Sequence, residues 1–598
     1  MKKFRPMDAK RSFFIFFTLL SFIYASLPLA TCAAVAAHQP LYISREPVRA
    51  PHTMVASTQQ LASQVGADVL KRGGNAIDAA VAVAFALAVV HPVAGNLGGG
   101  GFMLIRFKDG RSTVIDYREM APAAASRDMY LDAQGKIIRG EGSSTVGYRA
   151  AGVPGTVAGL EMALQKYGSH KLSWAQLIEP ARRLASNGFT VSKVFADSLQ
   201  REKKLAQYED SRRIFLNDGN FLTEGATFRQ PELAATLARL QRRGPREFYE
   251  GETARLIAAD MKSHNGLITL QDLRGYIPKE RAPLRGTYRG FPIITMPPPS
   301  SGGAVLIEML NMLEGYDLHS MGWSSSDSLH ILIEVMRRAF ADRAEYMGDT
   351  DFVKVPIAEL IDKSYAARIR STIDLKHASK SKDIRPGLPT AEESSDTTHF
   401  TIVDRDGNAV SNTYTLNDEY GSGVVAKGTG MLLNDEMDDF TSKVGVPNLY
   451  GLIQGARNGI EPRKRPLSAM TPTFVLRKDG SLWFTVGSPG GPRIITAVLQ
   501  VISNVIDYDM NIQEAVDAPR IHQQWMPDEV RFEPYGLSAD TVNALNARGH
   551  KLELRPEYKG YTKRGYMGDV QAIMIEEGTG MRLGASDSRR SEGVPVGY

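Results

Sequence analysis

The chain has 598 residues, 43% hydrophobic and 23% charged, and a formal net charge of +5. So mild an excess over such a length gives no sign of nucleic-acid binding, which needs clustered basic residues rather than a small net excess, and predicts a surface of mixed, solvated charge. Length alone would accommodate roughly four domains of about 150 residues.

At the N-terminus Lys2, Lys3, Arg5, Lys10 and Arg11 precede an apolar stretch from Ser12 to Leu29, followed by small residues including Ala34-Val35-Ala36. That order predicts a secretory signal peptide over residues 1–36, hence an exported, periplasmic or secreted protein. A membrane anchor is the competing reading of so long an apolar run, but Pro28 and the alanine-rich tail favour cleavage near Ala36 or Ala37. Leu29-Ala30-Thr31-Cys32 also resembles a lipoprotein processing box, although Thr31 is a poor residue before such a cysteine. Cys32 is the single cysteine, so cleavage at Ala36 would leave no thiol and no disulfide.

Ser57 to Arg72 reads as an amphipathic helix with Leu61, Val65 and Val69 on its buried face, ended by Gly73-Gly74-Asn75. Ala76–Val90 is apolar but too short to span a bilayer, and predicts a buried core helix stopped at His91-Pro92. The glycine run Gly95–Gly101 contains no Gly-Lys-Ser/Thr and leads into a strand, which is the wrong order for a nucleotide loop; it predicts close backbone packing instead. Phe102–Phe107 and Ser112–Tyr117 flank Asp109-Gly110 as a hairpin, with Arg118 just past the second strand.

From Val153 to Ala378 the pattern is mostly helical, interrupted at Pro297–Gly303, which is expected to be irregular. Ser379–Glu393 carries Lys, Pro and Glu without apolar periodicity and is expected to be exposed. Two further hairpins follow, Phe400–Val403 with Ala409–Thr415 and Thr473–Leu476 with Leu482–Val486, and predict layered α/β structure with an antiparallel sheet.

The stretch Asp396-Thr397-Thr398-His399-Phe400 places a hydroxyl residue where a polar segment enters a strand. A cut between Asp396 and Thr397 would give Thr397 both a hydroxyl and a free α-amine, so that one residue supplies nucleophile and base. Read alone, Thr397 and Thr398 are equally well ordinary strand formers. Likewise, Gly490-Gly491 reads alone as a turn after a strand, and Glu436, Asp438 and Asp439 could be an acidic turn or a metal site. No second ligand cluster such as His-Glu-x-x-His accompanies the acidic residues, so neither a metal nor a cofactor is expected.

Taken together, Asp396–Phe400, Asp406-Gly407-Asn408-Ala409-Val410, Thr413–Asn417 and Leu432–Phe440 resemble the start of the small subunit of the γ-glutamyltranspeptidase family. Gly95–Leu104, Tyr117–Pro122, Pro297–Gly303, Arg465–Ser468 and Gly487–Gly491 agree with the family in the same order, so the resemblance covers nearly the whole mature chain.

It implies an α/β fold, the four-layer αββα sandwich of N-terminal-nucleophile hydrolases, made of a large subunit (37–396) and a small subunit (397–598) released by self-cleavage. It implies Thr397 as nucleophile, Thr415 as its supporting hydroxyl, and Gly490 and Gly491 as the oxyanion hole. The α-carboxylate of a γ-glutamyl donor would meet Arg118 and Ser468. The family's second serine is replaced here by Ala469, which keeps a backbone N–H but loses a hydroxyl. The donor's α-ammonium would meet Asn417, Glu436 and Asp439. Thr441–Gly451 matches a lid loop whose Tyr450 reaches Asn417. The implied reaction is transfer of the γ-glutamyl group from glutathione or a related amide to water, an amino acid or a dipeptide. Cephalosporin or glutaryl acylases, poly-γ-glutamate depolymerases and an uncut binding protein are the alternatives. Arg118 with Asn417, Glu436 and Asp439, which suit a donor bearing both an α-carboxylate and an α-amine, argues against the glutaryl acylases, and an intact Asp396-Thr397 with Gly490-Gly491 argues against the binding protein.

Overall fold

The computed structural model describes residues 44–384, 397–554, 567–590 and 592–598. The expected signal peptide, Cys32 and Asp396 lie outside them, as does most of the expected exposed segment.

Two seven-stranded antiparallel sheets form the centre of the fold. The first runs, edge to edge, Val596–Gly597, Met54–Ser57, Thr398–Val403, Ala409–Thr415, Gly100–Arg106, Ser112–Asp116 and Lys279–Arg281. The second runs Val48–Ala50, Arg582–Ser586, Gln571–Ile575, Leu482–Gly487, Thr473–Leu476, Phe291–Thr295 and Leu284–Tyr288. The two-residue period of the strands sorts side chains between layers. Phe102 and Leu104 meet Ile294, Phe474 and Ile573 of the other sheet, whereas Met103 and Ile105 face the opposite way, onto helices. Ala76–Val90 and Thr156–Tyr167 cover the first sheet, and Gly302–Leu313, Ser326–Tyr346 and Arg493–Asp507 cover the second. The layers are therefore helix, sheet, sheet, helix, as expected. Both faces of the central strands are buried, so that even their polar residues, such as Thr401, Ser411 and Asn412, are shut away from water.

Ala76–Val90 is buried at every position and starts from a capping box of Asn75 and Asp78. The helix before it is Gln60–Lys71, in which Val69 is buried and Val65 packs against the core as expected, but Leu61 is not part of the inner face. Ala62, Ser63, Gly66 and Ala67 face inward while Leu61 is 37% exposed. The reason is close approach: a Cβ on Gly66 would lie 2.6 Å from a Val83 methyl. Residues 279–295, expected to be helical, contribute three strands to the two sheets. Gly302 and Gly303, expected to be irregular, open a helix because a Cβ on Gly303 would lie 2.1 Å from the Met296 carbonyl. Nor is Ser381 exposed. It is buried, its N–H and hydroxyl donate to Asp528, and its carbonyl accepts from Trp525 Nε1 at 2.9 Å.

Candidate active site

Thr397 stands immediately before the strand Thr398–Val403, in the middle of the first sheet. In the neighbouring strand Thr415 is the last residue, one beyond the Thr398–Tyr414 pair, and so comes level with Thr397. Its hydroxyl accepts from the Asn417 N–H at 2.8 Å, which turns its own proton toward Thr397 Oγ1, 3.4 Å away. The glycine run fixes Thr415 from the other side. Cβ atoms on Gly99 and Gly101 would lie 2.0 Å from the Thr415 carbonyl and 2.4 Å from the Thr413 carbonyl, so these positions admit no side chain.

Around Thr397 lies a small cavity lined by Arg118, Thr415, Asn417, Glu436, Asp439, Tyr450, Ser468, Ala469 and Gly491. Gly490 precedes Gly491 in the chain, so every candidate site residue is gathered at one place. Gly490 and Gly491 have φ of 129° and 54°, in the region that favours glycine, and they end at the first turn of Arg493–Asp507. Among the described residues neither of their N–H groups donates a hydrogen bond, which leaves donors beside a helix N-terminus, where partial positive charge accumulates. His399, two residues past Thr397, is fully buried. Burial pushes its pKa down to about 3, and its Nδ1 is 2.8 Å from Thr413 Oγ1.

The charged part of the cavity centres on Arg118, which is fully buried. Its guanidinium pairs with Glu436 and Asp439, lies 3.7 Å from Glu119, and donates to the Pro466 carbonyl at 3.3 Å. Burial alone would lower its pKa, but the surrounding carboxylates outweigh burial and raise it. Burial raises Glu119 to about 7 and Glu436 well above its ordinary value, against the pull of Arg118. The acid cluster therefore keeps a proton near neutrality.

The loop Thr441–Gly451 lies against this wall. The Tyr450 hydroxyl donates to Asn417, within reach of both its carbonyl and its side-chain oxygen, and Asn448 Nδ2 donates to Asp439 at 3.3 Å. A Cβ on Gly491 would lie 2.7 Å from the Tyr450 ring. Ser468 is held by its N–H to the Pro299 carbonyl at 2.9 Å, and its own carbonyl accepts from the Ser301 N–H and hydroxyl.

Sequence reasoning missed Arg343, which also lines the cavity. The signal was a cation on the apolar side of Ser326–Tyr346, one turn from the buried Ala339 and Phe340. Among the described residues no group of three or more His, Cys, Asp or Glu side chains is arranged to hold a metal ion, and no helix is long and apolar enough to cross a membrane.

Three comparisons bear on this geometry. A sequence model of the family described as Gamma-glutamyltranspeptidase matches residues 62–597. A glutathione hydrolase proenzyme of Escherichia coli (strain K12) is 50% identical over 554 residues, 92% of this chain and 93% of that protein. Among solved structures, a cephalosporin acylase from Bacillus halodurans superposes with a TM-score of 0.80 at 28% identity, covering 94% of this chain and 98% of its own. A chain of the Helicobacter pylori γ-glutamyltranspeptidase is 46% identical, with a TM-score of 0.54, and spans 59% of this chain and 100% of its own.

Proposed function

The chain belongs to the γ-glutamyltranspeptidase family, and from that premise we propose that Thr397 is both the agent of its maturation and its catalytic nucleophile. The protein has the N-terminal-nucleophile hydrolase fold, is made as a proenzyme and processed into two subunits, and acts as a γ-glutamyl acyltransferase and glutathione hydrolase.

In the first step the Thr397 hydroxyl attacks the carbonyl of Asp396. The peptide nitrogen leaves as the α-amine of Thr397, and water opens the resulting ester. The products are a large subunit ending at 396, which starts at 37 if the signal peptide is removed and the protein exported, and a small subunit of 397–598. The new amine then takes the hydroxyl proton, directly or through water, while Thr415 orients the oxygen.

In turnover, Thr397 attacks the γ-carbonyl of glutathione or a related γ-glutamyl amide. The N–H groups of Gly490 and Gly491 receive the oxyanion, cysteinylglycine or another amine leaves carrying the proton, and a γ-glutamyl ester remains on Thr397. Water, an amino acid or a dipeptide then takes the γ-glutamyl group. The donor's α-ammonium meets Asn417, Glu436 and Asp439, and its α-carboxylate meets Arg118, Ser468 and the N–H of Ala469.

The observation that carries this reading is the convergence, in one cavity, of the strand-initial Thr397 with both signs of charge a zwitterionic donor presents. Electrophoresis of the purified protein should show two chains, the smaller beginning at Thr397 by N-terminal sequencing. Thr397→Ala should give one uncut chain with no turnover of glutathione. A small chain starting at any other residue would remove Thr397 from the mechanism.

A further inference from the structure

Arg343 is the one cation lining the nucleophile's cavity, among the described residues, that has no carboxylate within ion-pairing distance. It is 2% exposed, its Nη1 has no hydrogen-bond partner, and its Nε donates to Ser301 Oγ at 2.8 Å. Burying a guanidinium without a counter-charge is costly, and most such groups in folded proteins are paired. Here burial lowers its pKa to about 10, which Asp439 only partly opposes, so the group stays charged near neutrality. Arg118 is in the opposite condition, since Glu436 and Asp439 already pair with it and Glu119 adds a third carboxyl nearby. An anion entering the cavity meets a neutralised guanidinium at Arg118 and an uncompensated one at Arg343.

The tether is also informative. Ser301 Oγ, which holds Arg343, donates in turn to the Ser468 carbonyl at 2.7 Å, and the Ser301 N–H donates to the same carbonyl at 2.8 Å. Arg343 is thus fastened to the loop that carries Ser468 and Ala469, and Ala469 lines the same cavity with no hydroxyl to offer.

Resting on the donor site proposed above, we propose that Arg343 is a second guanidinium for the donor's α-carboxylate, supplying at this wall the interaction that Ala469 lacks. Donor binding then brings Arg343 the counter-charge that no protein carboxylate supplies, while Glu436 and Asp439 turn from Arg118 toward the α-ammonium. The specificity that follows is for donors bearing a carboxylate on the α-carbon, over amides of the same chain without it.

The test compares two chromogenic donors, γ-glutamyl anilide and 4-aminobutyryl anilide, which differ only by the α-carboxylate. Arg343→Gln should raise KM for the γ-glutamyl donor about tenfold or more, as loss of a charged hydrogen bond predicts, with kcat changed by less than about threefold. Arg343→Lys should recover part of the loss. The carboxylate-free donor should respond to neither change. Equal effects on both donors, or none on either, would overturn the proposal. If Arg343→Gln is not processed, Ser301→Ala carries the same comparison, because it frees the tether while keeping the charge, and a KM rise confined to the γ-glutamyl donor is again expected. Failure of the unaltered enzyme to use γ-glutamyl anilide would instead sink the donor site itself.

Discussion

Around Thr397 the cavity is set by main chain, whereas its charged part is a cluster of buried side chains holding one another. The first region consists of a strand pair, the glycines that press against Thr413 and Thr415, and the left-handed turn at Gly490-Gly491. In the second, Arg118, Glu119, Glu436, Asp439 and Arg343 are buried together, and their positions depend on charge and on who holds the proton. A region built from backbone fails abruptly, because an added atom has nowhere to go. A region built from charges adjusts, because pairing and protonation can be redistributed.

The largest effect beyond loss of Thr397 should come from the backbone-built side. Gly491→Ala places a Cβ at φ 54° and 2.7 Å from the Tyr450 ring, so the turn and the lid cannot both keep their places. Losing one oxyanion donor costs about 10²–10³ in kcat, and a fall of that size is expected in steady-state assays of the cut enzyme. A kcat near that of the parent would mean the oxyanion is held elsewhere.

On the charged side, Arg118→Lys keeps one positive charge and loses the fork that pairs with Glu436 and Asp439. A fall in kcat/KM for γ-glutamyl donors of about ten- to a hundredfold is expected, with two chains still seen on a gel. An uncut Arg118→Lys chain would make this arginine part of the frame rather than of donor binding.

The two regions were also unequally legible in the sequence. The nucleophile strand, its partner ending at Thr415 and the glycine run could be placed because period-two patterning, turn residues and glycine are local signals. The place of Arg343 in the cavity could not be read, since it depends on Ser326–Tyr346 meeting Ser301, which in turn holds the Ser468 carbonyl, contacts that no local pattern encodes. For the same reason Leu61 misled. The helix Gln60–Lys71 makes its closest approach at Gly66, so small residues share its inner face with Val69 and Leu70 while Leu61 stays outside. Strands 284–288 and 291–295 pair with each other as a hairpin about Arg289-Gly290, a local turn that the helical reading of this stretch passed over, and only 291–295 also pairs far on in sequence, with Thr473–Leu476.

A finer distinction concerns the proton shared in the acid cluster. Glu119 is raised from 4.5 to about 7 by burial, so the folded state holds its proton more tightly than the unfolded chain. Stability from this group is full below about pH 4.5 and is lost as pH rises toward 7. Glu119→Gln cannot lose that proton, so its Tm should fall less than the parent's across this window. Parallel Tm profiles for the two proteins would place the held proton elsewhere in the cluster.

The smallest expected change lies where the two regions meet, at Ala469. Its methyl lines the cavity, its carbonyl accepts from the Thr471 hydroxyl at 2.9 Å, and the loop is held through Ser468 rather than through residue 469. Ala469→Ser therefore adds a hydroxyl without disturbing the frame. If that hydroxyl reaches the donor carboxylate, it adds at most one charged hydrogen bond, and with Arg343 already there the gain should stay below about tenfold. A bond made equally in ground and transition state lowers KM and leaves kcat unchanged. Steady-state kinetics with γ-glutamyl anilide and with 4-aminobutyryl anilide separate the cases. A KM decrease confined to the carboxylate-bearing donor places position 469 at the carboxylate. In the Arg343→Gln background the same serine should matter more, since the two groups would then serve one anion. Independent, additive effects would show that Arg343 and residue 469 face different parts of the donor.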